Sequence, residues 1–168
     1  MKFATRAIHV GQEAEPITGA TIVPIFQTST YTQEGIGKHK GYEYARTGNP
    51  TRTALEACLA SLENAKYGLC FASGSAASST VMNLLSAGDH VICADDVYGG
   101  TYRLFELVFT RYGLQYTWVD MTNPDNVAKA VRPNTKMLWV ETPTNPMLSV
   151  VDIAAVAEIG RKHKLLTV

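Results

Sequence analysis

The stretch LCFASGSAASSTVMNLLSAGDHVICADDVYGG (69–100) contains a short apolar run, a helical stripe and a second apolar run, in that order. The runs LCFA (69–72) and HVICA (90–94) have the length and continuity of strands buried on both faces. Between them, apolar residues recur at helical spacing: Ala77, Val81, Leu84 and Leu85. Gly88 is expected to end this helix. A strand, a helix and a second strand in succession predict a βαβ unit with parallel strands.

The same alternation continues along the chain. YTWV (116–119), MLWV (137–140) and LLTV (165–168) are further strand candidates. Helical stripes separate them, and an earlier helix is expected to begin at Asn49, a good N-cap followed by Pro50, and to carry Leu55, Leu59 and Leu62. We predict an α/β fold in which helices cover both faces of a mostly parallel sheet.

Residues 1–49 show no sustained hydrophobic period and are rich in Gly, Pro, Thr and Gln. We interpret them as an extended N-terminal arm, and residues 50–168 as the α/β domain.

Composition excludes several classes of protein. The chain has 168 residues, 46% of them hydrophobic, and a formal net charge of zero. It lacks the basic stripe of a nucleic-acid binder and any apolar run long enough to span a bilayer. The N-terminus does not resemble a signal peptide, and Cys58, Cys70 and Cys93 are too far apart to suggest a disulfide framework or a metal site. We therefore expect a cytoplasmic protein without nucleic-acid or membrane partners.

Ligands of open α/β sheets gather where strands end and helices begin. In FASGSAASS (71–79), the free amides of Gly74 and Ser75 at a helix start could seat a phosphate. A tight turn that needs small residues explains this loop equally well. The loop lacks the spacing of a G-x-G-x-x-G or Walker motif, and a G-x-S-x-G elbow centred on Ser73 would need glycines at 71 and 75. A Rossmann-type nucleotide binder is therefore the weaker alternative.

Two further loops carry candidate ligands. DDVYGGTYR (95–103) places Tyr98 at a helix entry, where its ring could lie over a flat ligand or simply pack. ETPTNP (141–146) presents Asn145, which offers both a donor and an acceptor, although a plain turn would account for the same residues.

Four motifs in this order, YEYARTGNPTR (42–52), FASGSAA (71–77), DDVYGGT (95–101) and ETPTNP (141–146), closely resemble the Cys/Met-metabolism (transsulfuration) family of pyridoxal-phosphate (PLP) enzymes. The resemblance covers nearly the whole chain. It implies the architecture of fold type I PLP enzymes, an amino-acid substrate and a homo-oligomer, commonly a tetramer.

The resemblance also implies roles for individual residues. The amides of Gly74 and Ser75 would hold the phosphate of PLP, Tyr98 would stack on its pyridine ring, and Asn145 would contact its 3′ oxygen. Tyr44 and Arg46 match the pair that crosses to a neighbouring subunit and grips that subunit's phosphate. An arginine suits this role because its planar fork donates two hydrogen bonds at once.

The family attaches PLP through a lysine that follows a Ser/Thr-rich strand end. None of Lys66, Lys136, Lys162 and Lys164 lies in such a context. We therefore expect the chain to be an N-terminal portion of a longer enzyme, inactive by itself. A non-catalytic oligomerisation or regulatory relic is the alternative.

The form HKGYEYARTGNPTR (39–52) looks most like the family's cystathionine γ-lyases. Glu43 would there meet the distal amino group of cystathionine. The γ-synthases are the runner-up, and β-lyases and methionine γ-lyases are further possibilities.

Overall fold

The computed structural model describes all residues from Met1 to Val168. The chain divides into two compact units, Met1–Phe71 and Ala72–Val168. The boundary between these units lies after Phe71, whereas the arm predicted from the sequence ends at residue 49. The delivery of that arm to a neighbouring subunit stays a prediction.

The first unit contains two helices, α1 (Phe3–His9) and α2 (Pro50–Leu62). The start of α2 was predicted correctly, because the Asn49 side chain accepts a hydrogen bond from the Thr51 amide at 2.9 Å and Pro50 occupies the first turn. The short helix α1 was missed, since seven residues are too few to show a period. The Arg6 side chain joins α1 to the end of α2 by donating to the Ser61 carbonyl and to Asn64 Oδ1.

The predicted strand LCFA (69–72) is wrong. These residues form no strand, and Leu69 and Phe71 are exposed. The Cys70 amide instead donates to the Glu56 side chain at 3.0 Å. An apolar run forms a strand only where it pairs with another strand, and none of the four strands of the sheet pairs with residues 69–72.

The second unit contains a four-stranded parallel sheet in the order β2-β1-β3-β4. Its strands are β1 (His90–Ala94), β2 (Gln115–Val119), β3 (Thr135–Trp139) and β4 (Leu166–Thr167). Its helices are α3 (Gly74–Met82), α4 (Gly99–Arg103), α5 (Pro124–Ala130) and α6 (Ile153–His163). A π-helical turn (Leu104–Val108) and a 3₁₀ turn (Phe109–Tyr112) extend α4.

The prediction of helices on both faces of a parallel sheet is confirmed. Alternate residues of β1 point to opposite faces. Ile92 and Ala94 join a core cluster with residues of α5 and α6, whereas Val91 and Cys93 join a second cluster with residues of α3 and the π-helical turn. Phe105 anchors the second cluster, its ring 5.0 Å from that of Trp139 in an edge-on arrangement.

Strand order locates the place where a ligand can bind. The chain leaves β1 through α4 toward β2, and it leaves β3 through α6 toward β4. These connections run to opposite sides of two neighbouring strands. Their loops therefore diverge at the carboxyl ends of β1 and β3, which is the topological switch point of an open α/β sheet. None of the helices combines the length and apolarity needed to cross a bilayer.

A buried histidine opens β1. His90 Nδ1 lies 2.8 Å from Thr135 Oγ1, and Nε2 lies 2.8 Å from Thr117 Oγ1. Arg132 Nη2 donates to the same Thr117 oxygen at 2.8 Å. Burial, and secondly the charge of Arg132, lowers the pKa of His90 to about 4.

We expect the free energy of unfolding to fall as the pH drops from 6.5, the ordinary histidine pKa, toward about 4. In this range the unfolded chain binds a proton at His90 that the folded protein does not bind. The free energy of unfolding therefore falls by at most about 1.4 kcal/mol for each pH unit. Urea denaturation at several pH values would measure the slope. His90→Gln should flatten it relative to wild type, whereas the exposed His163→Gln should not. Equal slopes in all three proteins would contradict this account.

Candidate functional site

The N-terminus of α3 provides free main-chain donors. The Ser73 hydroxyl caps the helix by accepting from the Ala76 amide at 3.1 Å. The amides of Gly74 and Ser75 belong to the first helical turn and therefore have no acceptor within the helix. A side chain built on Gly74 would meet no atom within 4 Å, so space is open beside this turn.

A cavity of about 370 Å³ occupies this space. It brings together two of the loops singled out in the sequence, with Gly74 and Ser75 on one wall and Tyr98 on another. The remaining lining residues are Ser73, Ser78, Thr101 and Leu104. The cavity therefore combines amide and hydroxyl donors with an aromatic surface.

Tyr98 is held through its backbone while its ring stays about half exposed. Its amide donates to Glu141 Oε1, in the loop after β3, at 2.9 Å. The ring lies over Gly100, where an added Cβ would stand 2.9 Å from the ring's Cζ. Only glycine at position 100 leaves room for this ring position. The motif contains two adjacent glycines, and only the structure shows that the ring needs the second.

The loop after β1 and the loop after β3 are linked by a second carboxylate besides that of Glu141. This one belongs to the loop after β1 and binds the loop after β3. Asp96, in the loop after β1, accepts hydrogen bonds from the Thr144 hydroxyl and from the Met147 amide, the latter at 2.9 Å. Each loop thus contributes one carboxylate that binds the other loop. Asp96 and Glu141 lie within motifs already quoted from the sequence, but their partners could not be inferred without the fold.

Asn145 lies in the loop that Asp96 holds. Its side chain is exposed and does not line the cavity. The structure therefore places Asn145 at the same sheet edge as Tyr98 without bringing it against the Gly74 turn.

The cavity offers partial positive charge to an anion but no charged side chain. The helix dipole and the free amides favour negative charge. No lysine or arginine lines the cavity. A phosphate group would fit the donors of the turn, but a cation to balance its charge has to come from elsewhere.

Tyr44 and Arg46 lie in the first unit. The Arg46 guanidinium stands 4.9 Å from the centre of the Tyr44 ring, and its Nη2 donates to the Tyr44 hydroxyl at 3.3 Å. Arg46 is exposed, as is Glu43. Tyr44 makes one isolated antiparallel bridge to Thr30. The two predicted ligands therefore form a pair, and the guanidinium keeps most of its donors free.

A profile of the Cys/Met metabolism PLP-dependent enzyme family matches residues 4–168. The chain is 60% identical to a probable cystathionine gamma-synthase of Herpetosiphon aurantiacus, over 99% of this chain and 52% of that protein. It is 52% identical to the cystathionine beta-lyase of Coxiella burnetii, over 98% of this chain and 43% of that protein.

A crystal structure of cystathionine gamma-lyase from Lactobacillus plantarum, complexed with L-serine, superposes with a TM-score of 0.95 at 51% identity. The alignment covers 99% of this chain and 44% of that one. The chain thus spans about half the length of the proteins it matches. With a family profile matched over almost its entire length, the chain belongs to the Cys/Met-metabolism family of PLP-dependent enzymes.

Proposed function

We propose that the whole protein is a PLP-dependent lyase that converts cystathionine and water to cysteine, 2-oxobutanoate and ammonia. The observation that carries the proposal is the cavity in which the Gly74–Ser75 turn and the Tyr98 ring face the same space. These are the two surfaces that a phosphorylated aromatic cofactor needs. Bound PLP supplies an electron sink for negative charge developing at the α-carbon of an amino acid.

The residues of the second unit would hold PLP at three points. The amides of Gly74 and Ser75, with nearby hydroxyls, bind the phosphate, because free amides at a helix start bind anions well. Tyr98 would cover the pyridine ring. Asn145 would contact the 3′ oxygen from the neighbouring loop, whose backbone is held by the bond from the Met147 amide to Asp96.

Arg46 would supply the cation that the cavity lacks. It is exposed, and its guanidinium makes one side-chain hydrogen bond, to Tyr44. We assign Tyr44 and Arg46 to the phosphate of a neighbouring subunit, so the active protein is a homo-oligomer, most simply a tetramer built from dimers with shared sites. Free thiols at Cys58, Cys70 and Cys93 are compatible with a cytoplasmic location.

Glu43 supports the choice of cystathionine as substrate. Its carboxylate is exposed and makes no ion pair, and it lies three residues before Arg46. If Arg46 reaches a neighbour's site, Glu43 would come with it, and a carboxylate there would favour a substrate with a second amino group, which cystathionine carries at its distal end. Cystathionine γ-synthesis is the second candidate, since the Herpetosiphon relative bears that name.

The first prediction concerns the reaction. The whole protein, loaded with PLP, should absorb visible light and release 2-oxobutanoate and ammonia from cystathionine. Coupled 2-oxo acid and ammonia assays would measure the products. Release of pyruvate would indicate a β-lyase, and formation of cystathionine from an activated homoserine and cysteine would indicate a γ-synthase. A colourless protein that turns over none of these substrates would favour a non-catalytic relic.

The second prediction concerns the sharing of sites. Arg46→Ala should weaken PLP binding about tenfold or more, because a charge-assisted contact to phosphate is lost. Equilibrium dialysis would measure the affinity. Co-assembly with a variant damaged at Ser75, such as Ser75→Pro, should restore some intact sites. If mixing restores no PLP binding above the average of the two variants, Arg46 serves its own subunit.

The third prediction concerns Tyr98. In Gly100→Ala the new methyl group occupies the space of the Tyr98 ring, so PLP affinity should drop while thermal stability is kept. Gly99→Ala is the matched control, because its methyl group would meet only the mobile end of Arg103 at 3.2 Å. Equal PLP affinity in the two variants would show that the ring position is not needed.

A further inference from the structure

Arg52 binds the backbone of the segment that carries Arg46. From the first turn of α2 its guanidinium donates to three consecutive carbonyl groups. The acceptor oxygens belong to Thr47 at 2.9 Å, Arg46 at 3.3 Å and Ala45 at 3.5 Å. With its donors used in this way, Arg52 is not free to bind an anion itself.

Glu56, one helical turn further on, orients this guanidinium. Its Oε1 lies 3.5 Å from Arg52 Nε and also accepts the Cys70 amide at 3.0 Å. Both side chains are largely shielded from water, with 33% and 22% of their surface exposed. Arg52 and Glu56 therefore fasten two separate loop segments of the first unit to α2.

The segment around Arg46 has few other supports. It contains no regular strand. Outside its own turn it is held by the bridge to Thr30, which consists of the bond from the Ala45 amide to the Ser29 carbonyl at 2.8 Å and the bond from the Tyr31 amide to the Glu43 carbonyl at 3.1 Å. A long exposed side chain loses conformational entropy when a ligand immobilises it. If the backbone that carries the side chain is already fixed before binding, the ligand does not have to order that backbone as well, and this further entropy loss is avoided.

We propose that Arg52 is a positioning residue, with Glu56 as its orienting partner, that holds the backbone of Ala45–Thr47 so that Arg46 can reach the phosphate of PLP. This inference rests on the proposed function. Arg52 itself does not touch the cofactor. Its contribution passes through Arg46.

A double-mutant cycle on PLP affinity tests the proposal in the whole protein. Arg52→Ala should weaken binding about tenfold, the loss that corresponds to one charge-assisted hydrogen bond. Because Arg52 acts through Arg46, the double variant Arg46→Ala/Arg52→Ala should bind PLP no more weakly than Arg46→Ala alone. Arg161→Ala is the matched control, since this exposed arginine pairs only with Glu158, and its PLP affinity should not change.

The outcomes separate the inference from the function on which it rests. If Arg46→Ala leaves PLP affinity unchanged, the phosphate role proposed for Arg46 fails. If Arg46→Ala weakens binding while Arg52→Ala does not, only the positioning role is overturned. Additive losses in the double variant would likewise overturn it, because Arg52 would then act independently of Arg46.

Arg52→Lys provides a second measurement should the alanine variant not fold. An ammonium group cannot reach three carbonyls as the planar fork does. Hydrogen exchange should therefore speed up at the amides of Thr47 and Gly48, which bond to the Tyr44 carbonyl at 3.1 and 2.9 Å. Exchange as slow as in wild type would contradict the proposal.

Discussion

The burial of β1 is the constraint on which the second unit depends. All five residues from His90 to Ala94 are buried, and both edges of the strand are hydrogen-bonded, to β2 and to β3. Its side chains divide between two core clusters on opposite faces. Because the strand has neither a free edge nor a free face, the residues that follow it leave the sheet at one defined point, and this point is where the candidate site lies.

Two carboxylates fix the loops that surround the point where the chain leaves β1. Glu141 holds the backbone of Tyr98, and Asp96 holds the loop of Asn145. Hydrogen bonds to a charged acceptor are stronger than those between neutral groups. The loops are thus tied to each other as well as to the sheet, and the backbone that carries the Tyr98 ring is held by Glu141.

Much of this arrangement could be predicted from local patterns. The run HVICA matches β1 residue for residue, and the N-cap at Asn49 marks the start of α2, because both depend on neighbours in sequence. The run LCFA fails because a strand needs a distant partner, which periodicity does not reveal. The leucine stripe located α2 but not its buried side, since Leu55 and Leu59 are about half exposed while Ala54 is buried.

In the candidate site, too, local features could be predicted from the sequence, whereas contacts between distant residues could not. Gly74, Ser75 and Tyr98 were singled out as candidates because free amides at a helix start can bind an anion and a tyrosine at a helix entry can face a flat ligand. The partners of Asp96, Glu141 and Arg52 are separated from them by 5 to 51 residues. A charged side chain in a loop is so common that only the folded chain shows which backbone group it holds.

The aromatic packing around Phe105 has a consequence for spectroscopy. The two tryptophans of the chain, Trp118 and Trp139, both lie on the sheet within 6.3 Å of the Phe105 ring, measured between ring centres. The first unit contains none. Intrinsic tryptophan fluorescence of residues 1–168 therefore reports directly on the packing of the sheet, and a loss of structure confined to the segment of Tyr44 and Arg46 would leave the emission spectrum nearly unchanged.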